Sequence, residues 1–217
     1  SMFAALDVEV GDAINRLMFV GLAGAVPLLA VASVYDPLLS PVRQEFTRGV
    51  GRLIITFPRV LLALSILVLA VYLVAIPFNF MAPFEHRDVL IIYNVMLFAV
   101  MGLLLGATPV TAADLSAHLQ NALRTAIMVV AVMVVIVSLY ALAAVVYRTI
   151  GHGLTVNRMT VIGWNSVNIG LLGLLLYRQL RHGRQAWVAA LQHTFSDGIF
   201  AYIAWGVFVI IATPWLF

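Results

Sequence analysis

The chain has 217 residues, 64% of them hydrophobic and 10% charged, against about 45–50% apolar and about 25% charged in an ordinary soluble domain, so a water-soluble fold of this length cannot hide its apolar surface. Its twelve basic residues are all arginine and face nine Asp and Glu, for a formal charge of +3; in a membrane protein Arg gathers on the cytoplasmic side and beside lipid phosphates, so the excess does not point to a nucleic-acid partner. There is no cysteine, which excludes disulfides, thiolate catalysis and cysteine-held metal or iron–sulfur sites.

Ser1-Met2 reads as a tag remnant before a start methionine and is set aside. Beyond it, six stretches near the length needed for a bilayer core, roughly 20 residues each, are expected to span as helices near 17–35, 60–78, 89–108, 125–147, 159–177 and 199–217. The expected fold is thus an all-α polytopic transmembrane bundle, with residues 1–217 as a single domain. The first stretch follows Asp7, Glu9 and Asp12 rather than a basic region, which makes it a span and not a signal peptide. Between it and the second, Arg43, Arg48, Arg52 and Arg59 alternate with Phe46, Val50, Leu53 and Ile54, predicting an amphipathic interfacial helix near 43–57. The 185–195 stretch, with Trp187, Leu191 and His193, is a second candidate of that kind.

Pro37 and Pro41 punctuate the end of the first span, Pro77 and Pro83 the second, Pro109 the third, and Gly151 and Gly153 the fourth. The run Ile127 to Val137 is apolar around its whole circumference and marks the clearest span. With six spans, the loops after the first, third and fifth carry eight Arg (43, 48, 52, 59, 124, 178, 181 and 184), and the opposite side carries Arg16, Arg87, Arg148 and Arg158. The positive-inside rule then puts the first group in the cytoplasm and both termini outside. The last residues, Pro214-Trp-Leu-Phe217, carry no polar tail, as expected of a piece of a longer membrane protein.

The stretch Tyr147-Arg148-Thr-Ile-Gly-His-Gly153-Leu154-Thr155-Val-Asn-Arg158, followed by Trp164, resembles a family of bacterial polytopic membrane proteins known only as a domain of unknown function. In that family a helix ends in Arg, a Tyr-Gly-Leu-Thr-x-x-Arg turn follows, and the next helix carries a Trp. Arg52-Leu-Ile-Ile-Thr-Phe-Pro-Arg-Val-Leu61 is similar to the family's entry into an earlier span, and the likeness covers roughly 43–181. Two departures stand out: His152-Gly153 replaces the aromatic residue before Gly-Leu-Thr, and family members are longer, with extra N-terminal spans. The resemblance implies a helical bundle in a bacterial cytoplasmic (inner) membrane and brings no activity with it.

The same turn is the most informative local feature for chemistry. Arg148 is expected to close the fourth helix and Arg158 to open the fifth, which brings two guanidinium groups to one bilayer surface. The macrodipole favours an Arg at a helix C-terminus and disfavours one at an N-terminus, so Arg158 needs another reason to be there. An anion site for a lipid headgroup or anionic substrate, built from Arg148, Arg158 and the free N–H groups of the next helix, supplies one. Thr155 is its expected N-cap, with Asn157 as the alternative. The plainer account is snorkelling Arg side chains flanking a tight turn.

Asn165 and Asn168, three apart in the fifth span, share a helix face and are expected to reach the same neighbouring helix, with Asn94 as a partner. They either line a substrate path or cross-link helices, at roughly 0.6–2 kcal/mol per bond. Arg59 and Asp88 stand at span starts, and Asp114 and Asp197 at loops or ends; the scarcity of ionisable groups inside spans argues against a proton-coupled carrier. The histidines at 86, 118, 152, 182 and 193 form no metal-protease spacing, and neither a nucleophile elbow nor a nucleotide-binding loop occurs. No metal, cofactor or catalytic residue is therefore expected. Gly102 and Gly106 form a small-xxx-small motif for helix packing, and Gly163, Gly170 and Gly173 thin the fifth span. These features favour a non-enzymatic accessory or assembly subunit of a membrane complex, with lipid and a membrane-protein partner or a second copy as contacts. A transporter or lipid-handling protein that uses the Arg148/Arg158 turn is the first alternative. An intramembrane enzyme acting on lipid, with His152 as acid or base, is the second.

Overall fold

The structure, a computed structural model, describes residues 46–85, 87–109, 116–181 and 186–216. Among these, α1 spans Phe46–Ala75, α2 Arg87–Ala107, α3 Ala117–His152, α4 Val156–Arg181 and α5 Trp187–Leu216; a 3-10 turn over Ile76–Asn79 and a single helical turn over Ala82–Glu85 join α1 to α2. The described residues contain no strand. Within a hydrocarbon core a helix satisfies its own backbone polar groups, so an apolar chain of this kind has little other choice. Four segments are long and apolar enough to cross a membrane: Phe57–Asn79, Ala117–His152, Val156–Arg181 and Trp187–Leu216. The remaining apolar stretch, Tyr93–Ala107, is shorter and belongs to α2, whose 21 residues rise about 31 Å, close to the roughly 30 Å of a bilayer core.

The expected span at 17–35, and the first three residues of the predicted interfacial helix, lie outside the described residues. The rest of that interfacial segment is not a separate element. From Phe46 onward it runs unbroken into the next span as one 30-residue helix with Pro58 inside it. Proline removes one backbone donor and crowds the preceding turn, yet spanning helices tolerate it where neighbours support the freed groups. The 185–195 candidate is likewise the start of α5 from Trp187.

α3 is the central helix, packed against α1 on one side and α4 on the other. Ser116 caps it, its hydroxyl accepting from the Leu119 N–H at 3.4 Å. Its buried face runs Leu123, Ile127, Val130, Val134, Val137 and Ala141, steps of three and four that keep one stripe inward. α5 packs on α4, while α2 leans on α1 and α3 and touches α4 only lightly. Tyr72 of α1 meets Tyr93 of α2 edge to face, with ring centroids 5.1 Å apart.

Arginines mark both ends of this bundle. Arg124 and Arg148 on α3 are 24 residues apart, about 36 Å, and Arg158 and Arg178 on α4 are 20 apart, about 30 Å, so each pair brackets one hydrocarbon thickness.

Candidate functional site

α3 and α4 are joined by only three residues, Gly153 to Thr155. The chain must reverse within them, and Gly153 does so with φ 80° and ψ 163°, a region essentially reserved for glycine. Arg148 therefore lies one turn before the end of α3 rather than closing it. Thr155 caps α4: its Oγ1 accepts from the Arg158 N–H at 3.4 Å, and its carbonyl accepts from the Met159 N–H at 2.9 Å.

This hairpin brings Arg148, Thr155 and Arg158 onto one cavity of about 240 Å³, together with Asn94 of α2 and Asn157. Leu90, Ile91, Val145 and Val161 complete its lining. Arg158 Nη1 donates to the Gly153 carbonyl at 2.6 Å, which turns the guanidinium back over the hairpin and leaves most of its five donors for other partners. Arg148 Nη1 is buried without a hydrogen-bond partner. A buried, unpaired guanidinium donor is costly, and it stands here beside a second arginine at a helix N-terminus.

The asparagines divide between two neighbours, contrary to the expectation that both reach the same helix. Asn165 Nδ2 donates to Asn94 Oδ1 of α2 at 3.1 Å, and Asn94 Nδ2 in turn donates to the Leu90 carbonyl at 2.8 Å. Asn168 Oδ1 instead accepts from the Tyr202 hydroxyl of α5. Positions three apart on a helix differ by about 60° in direction, enough to separate partners when α4 lies between α2 and α5. Asn165 is seven residues inward from Arg158, about 10 Å, and Asn168 ten, about 15 Å, so a polar row descends α4 from the cavity to mid-membrane. Both side chains are buried, and Asn165 Oδ1 and Asn168 Nδ2 have no partner.

Gly102 and Gly106 also separate. A Cβ on Gly106 would meet Pro58 of α1 at 3.3 Å, so this glycine packs within the chain, while the space around Gly102 is open. Gly102 instead lines an apolar groove of about 610 Å³ between α2 and α5, with Phe98, Leu105, Ile199 and Tyr202 among its walls. Gly163 lies directly under the Trp205 ring of α5, whereas Gly170 and Gly173 face open space.

Sequence reasoning missed a polar cluster at the opposite end. Arg124 of α3 donates through Nε to Gln179 Oε1 at 3.2 Å and through Nη2 to the Gln179 carbonyl at 2.7 Å; Gln179 Nε2 donates to the Trp187 carbonyl at 2.8 Å. Arg178 pairs with Asp197 at 2.6 Å and donates to Thr194 Oγ1 at 3.3 Å. Gln179 sits among Arg178, Arg181 and His182 at a polar helix end, and nothing in its spacing announces a partner 55 positions away. His118, His152 and His193 are all exposed, and His152 is not among the cavity's lining residues. His86 and His182 lie outside the described residues.

The chain matches no family model, no curated protein and no solved structure.

Proposed function

We propose that this integral membrane protein binds an anionic, phosphate-type group at one face of the bilayer, in the cavity between α2, α3 and α4. The observation that carries the reading is the convergence of Arg148, with a buried unpartnered nitrogen, and Arg158 on one cavity at the start of α4. The two guanidinium groups on one cavity repel each other, and Arg158, at the positive end of α4, is also disfavoured by the dipole. A phosphate oxygen there accepts from both and reverses the sign of that interaction. Asn94 and Thr155 add a neutral amide and a hydroxyl for orientation. By the arginine count this face points away from the cytoplasm, and the resemblance carried by Tyr147 to Arg158 is what implies a bacterial inner membrane. Lipid headgroup and soluble anion share the chemistry.

The test is binding of glycerol phosphate and of phosphatidylglycerol to the purified protein in detergent, followed by native mass spectrometry and calorimetry. Charge-assisted hydrogen bonds contribute about 1.5–3 kcal/mol each, so Arg148→Ala/Arg158→Ala is expected to weaken binding by at least about tenfold. Equal binding by wild type and double variant would sink the reading.

A second reading, an accessory or assembly subunit of a membrane complex, draws on α5 from Phe200 onward, where Phe200, Ile210 and Trp215 are 72%, 75% and 87% exposed. Lipid covers such a face as well as a partner does. Co-purification of a protein lost on Phe200→Ala/Ile210→Ala would support the subunit, and a solitary chain in mild detergent would oppose it.

A further inference from the structure

We infer that the anion is carried by a membrane lipid, whose hydrocarbon chain runs from the cavity along one face of α2 into the groove against α5; this rests on the anion-binding reading above.

The cavity has two chemistries. Arg148, Thr155 and Arg158 gather at the helix ends, and Leu90, Ile91, Val145 and Val161 form apolar walls beside them. A small soluble anion gains nothing from such walls. An amphiphile uses both.

The groove continues on the same helix face. Ile91 and Asn94 line the cavity, and Phe98, Met101, Gly102 and Leu105 line the groove, in the steps of three and four residues that keep to one side of a helix. Phe98, one turn beyond Asn94, begins the groove, and its ring packs on Trp164 with centroids 6.0 Å apart, which in turn packs on Tyr202 at 5.4 Å. At the far end the groove closes where Gln192 Nε2 donates to the Pro109 carbonyl at 3.2 Å. Ile91, Phe98 and Leu105 on this face of α2 are exposed, so the path is open sideways to the bilayer, where hydrocarbon chains are the most abundant occupant.

The dimensions agree. One leaflet contributes about 15 Å of the roughly 30 Å core, and from Ile91 that length ends ten or so residues along α2, at Met101 and Gly102. Gly102 is also where nothing lies within 4 Å of a Cβ position, so the missing side chain leaves room for the chain's end.

The full chain, purified in detergent, is titrated with dipalmitoyl phosphatidylglycerol, its dihexanoyl form and glycerol phosphate. The long-chain lipid is expected to bind at least about tenfold more tightly than glycerol phosphate, because each buried methylene adds to the affinity. Gly102→Leu, which fills the groove, is expected to abolish that advantage while glycerol phosphate binds as before. Ser196→Leu fills the groove from the α5 wall and serves if Gly102→Leu does not fold. Equal binding of lipid and glycerol phosphate would overturn the inference and leave the anion site standing. So would a chain-length advantage untouched by both variants, the result expected if a second copy fills the groove. If neither glycerol phosphate nor lipid binds, the anion site itself fails, and this inference with it.

Discussion

At Gly163 there is no room for a methyl group: a Cβ built there would lie 1.7 Å from the Trp205 ring. Gly163→Ala must push α5 off α4 or drive the indole into another rotamer, at a cost of about 1–3 kcal/mol for an overpacked site. Gly170→Ala, with open space around it, is expected to be neutral or stabilising by up to about 1 kcal/mol from helix propensity alone. Thermal unfolding in detergent that lowers the midpoint for the first variant and not the second would confirm the contact. Thr155→Ala removes the α4 cap and is expected to cost about 1 kcal/mol, with Thr155→Ser retaining most of the stability. The same comparison by melting checks it, and equal midpoints for the Ala and Ser variants would show that the hydroxyl is idle.

Among the elements, α4 carries the polar interactions that tie the bundle together. It reaches α2 through Asn165, α5 through Asn168 and Arg178, and α3 through Gln179. These ties differ in strength because they differ in burial. Asp197 is 54% exposed and Arg178 24%, so solvent screens their pair, and Asp197→Asn is expected to cost under about 1 kcal/mol. Gln179 is buried and serves both Arg124 and the Trp187 carbonyl. Gln179→Leu strands Arg124 Nε and that carbonyl, while the Gln179 backbone carbonyl still accepts from Arg124 Nη2, and is expected to cost about 1–3 kcal/mol. The two variants compared by urea or thermal unfolding should therefore separate clearly; a larger loss in Asp197→Asn would reverse the assignment.

On the scale of the whole molecule, the helix order places the Gly153 to Thr155 turn at one membrane face and the starts of α3 and α5 at the other. The chain has no cysteine, so single cysteines report the topology without background. Asn157→Cys and Ser116→Cys are expected to label from opposite sides of sealed vesicles with an impermeant maleimide, Ser116 from the cytoplasmic side. Labelling of both from one side would remove the arrangement.

The sequence by itself determined that the chain lives in a bilayer as helices, roughly where most of the helices lie, and that Thr155 starts one of them. Hydrophobic run length, glycine and proline punctuation and capping chemistry are local properties, readable within a few turns. The convergence of Arg148, Arg158 and Thr155 was also partly legible, because all three lie on the one short connection expected between the spans at 125–147 and 159–177. Only the tertiary structure decided that Asn94 joins them, that Asn165 and Asn168 face different helices, that Gly106 packs inside the chain while Gly102 stays open, and that Arg124 meets Gln179. Each of these depends on the angle and depth at which helices distant in sequence cross. In a bilayer, where almost every outward face is apolar, the hydrophobic pattern does not say which face meets which neighbour.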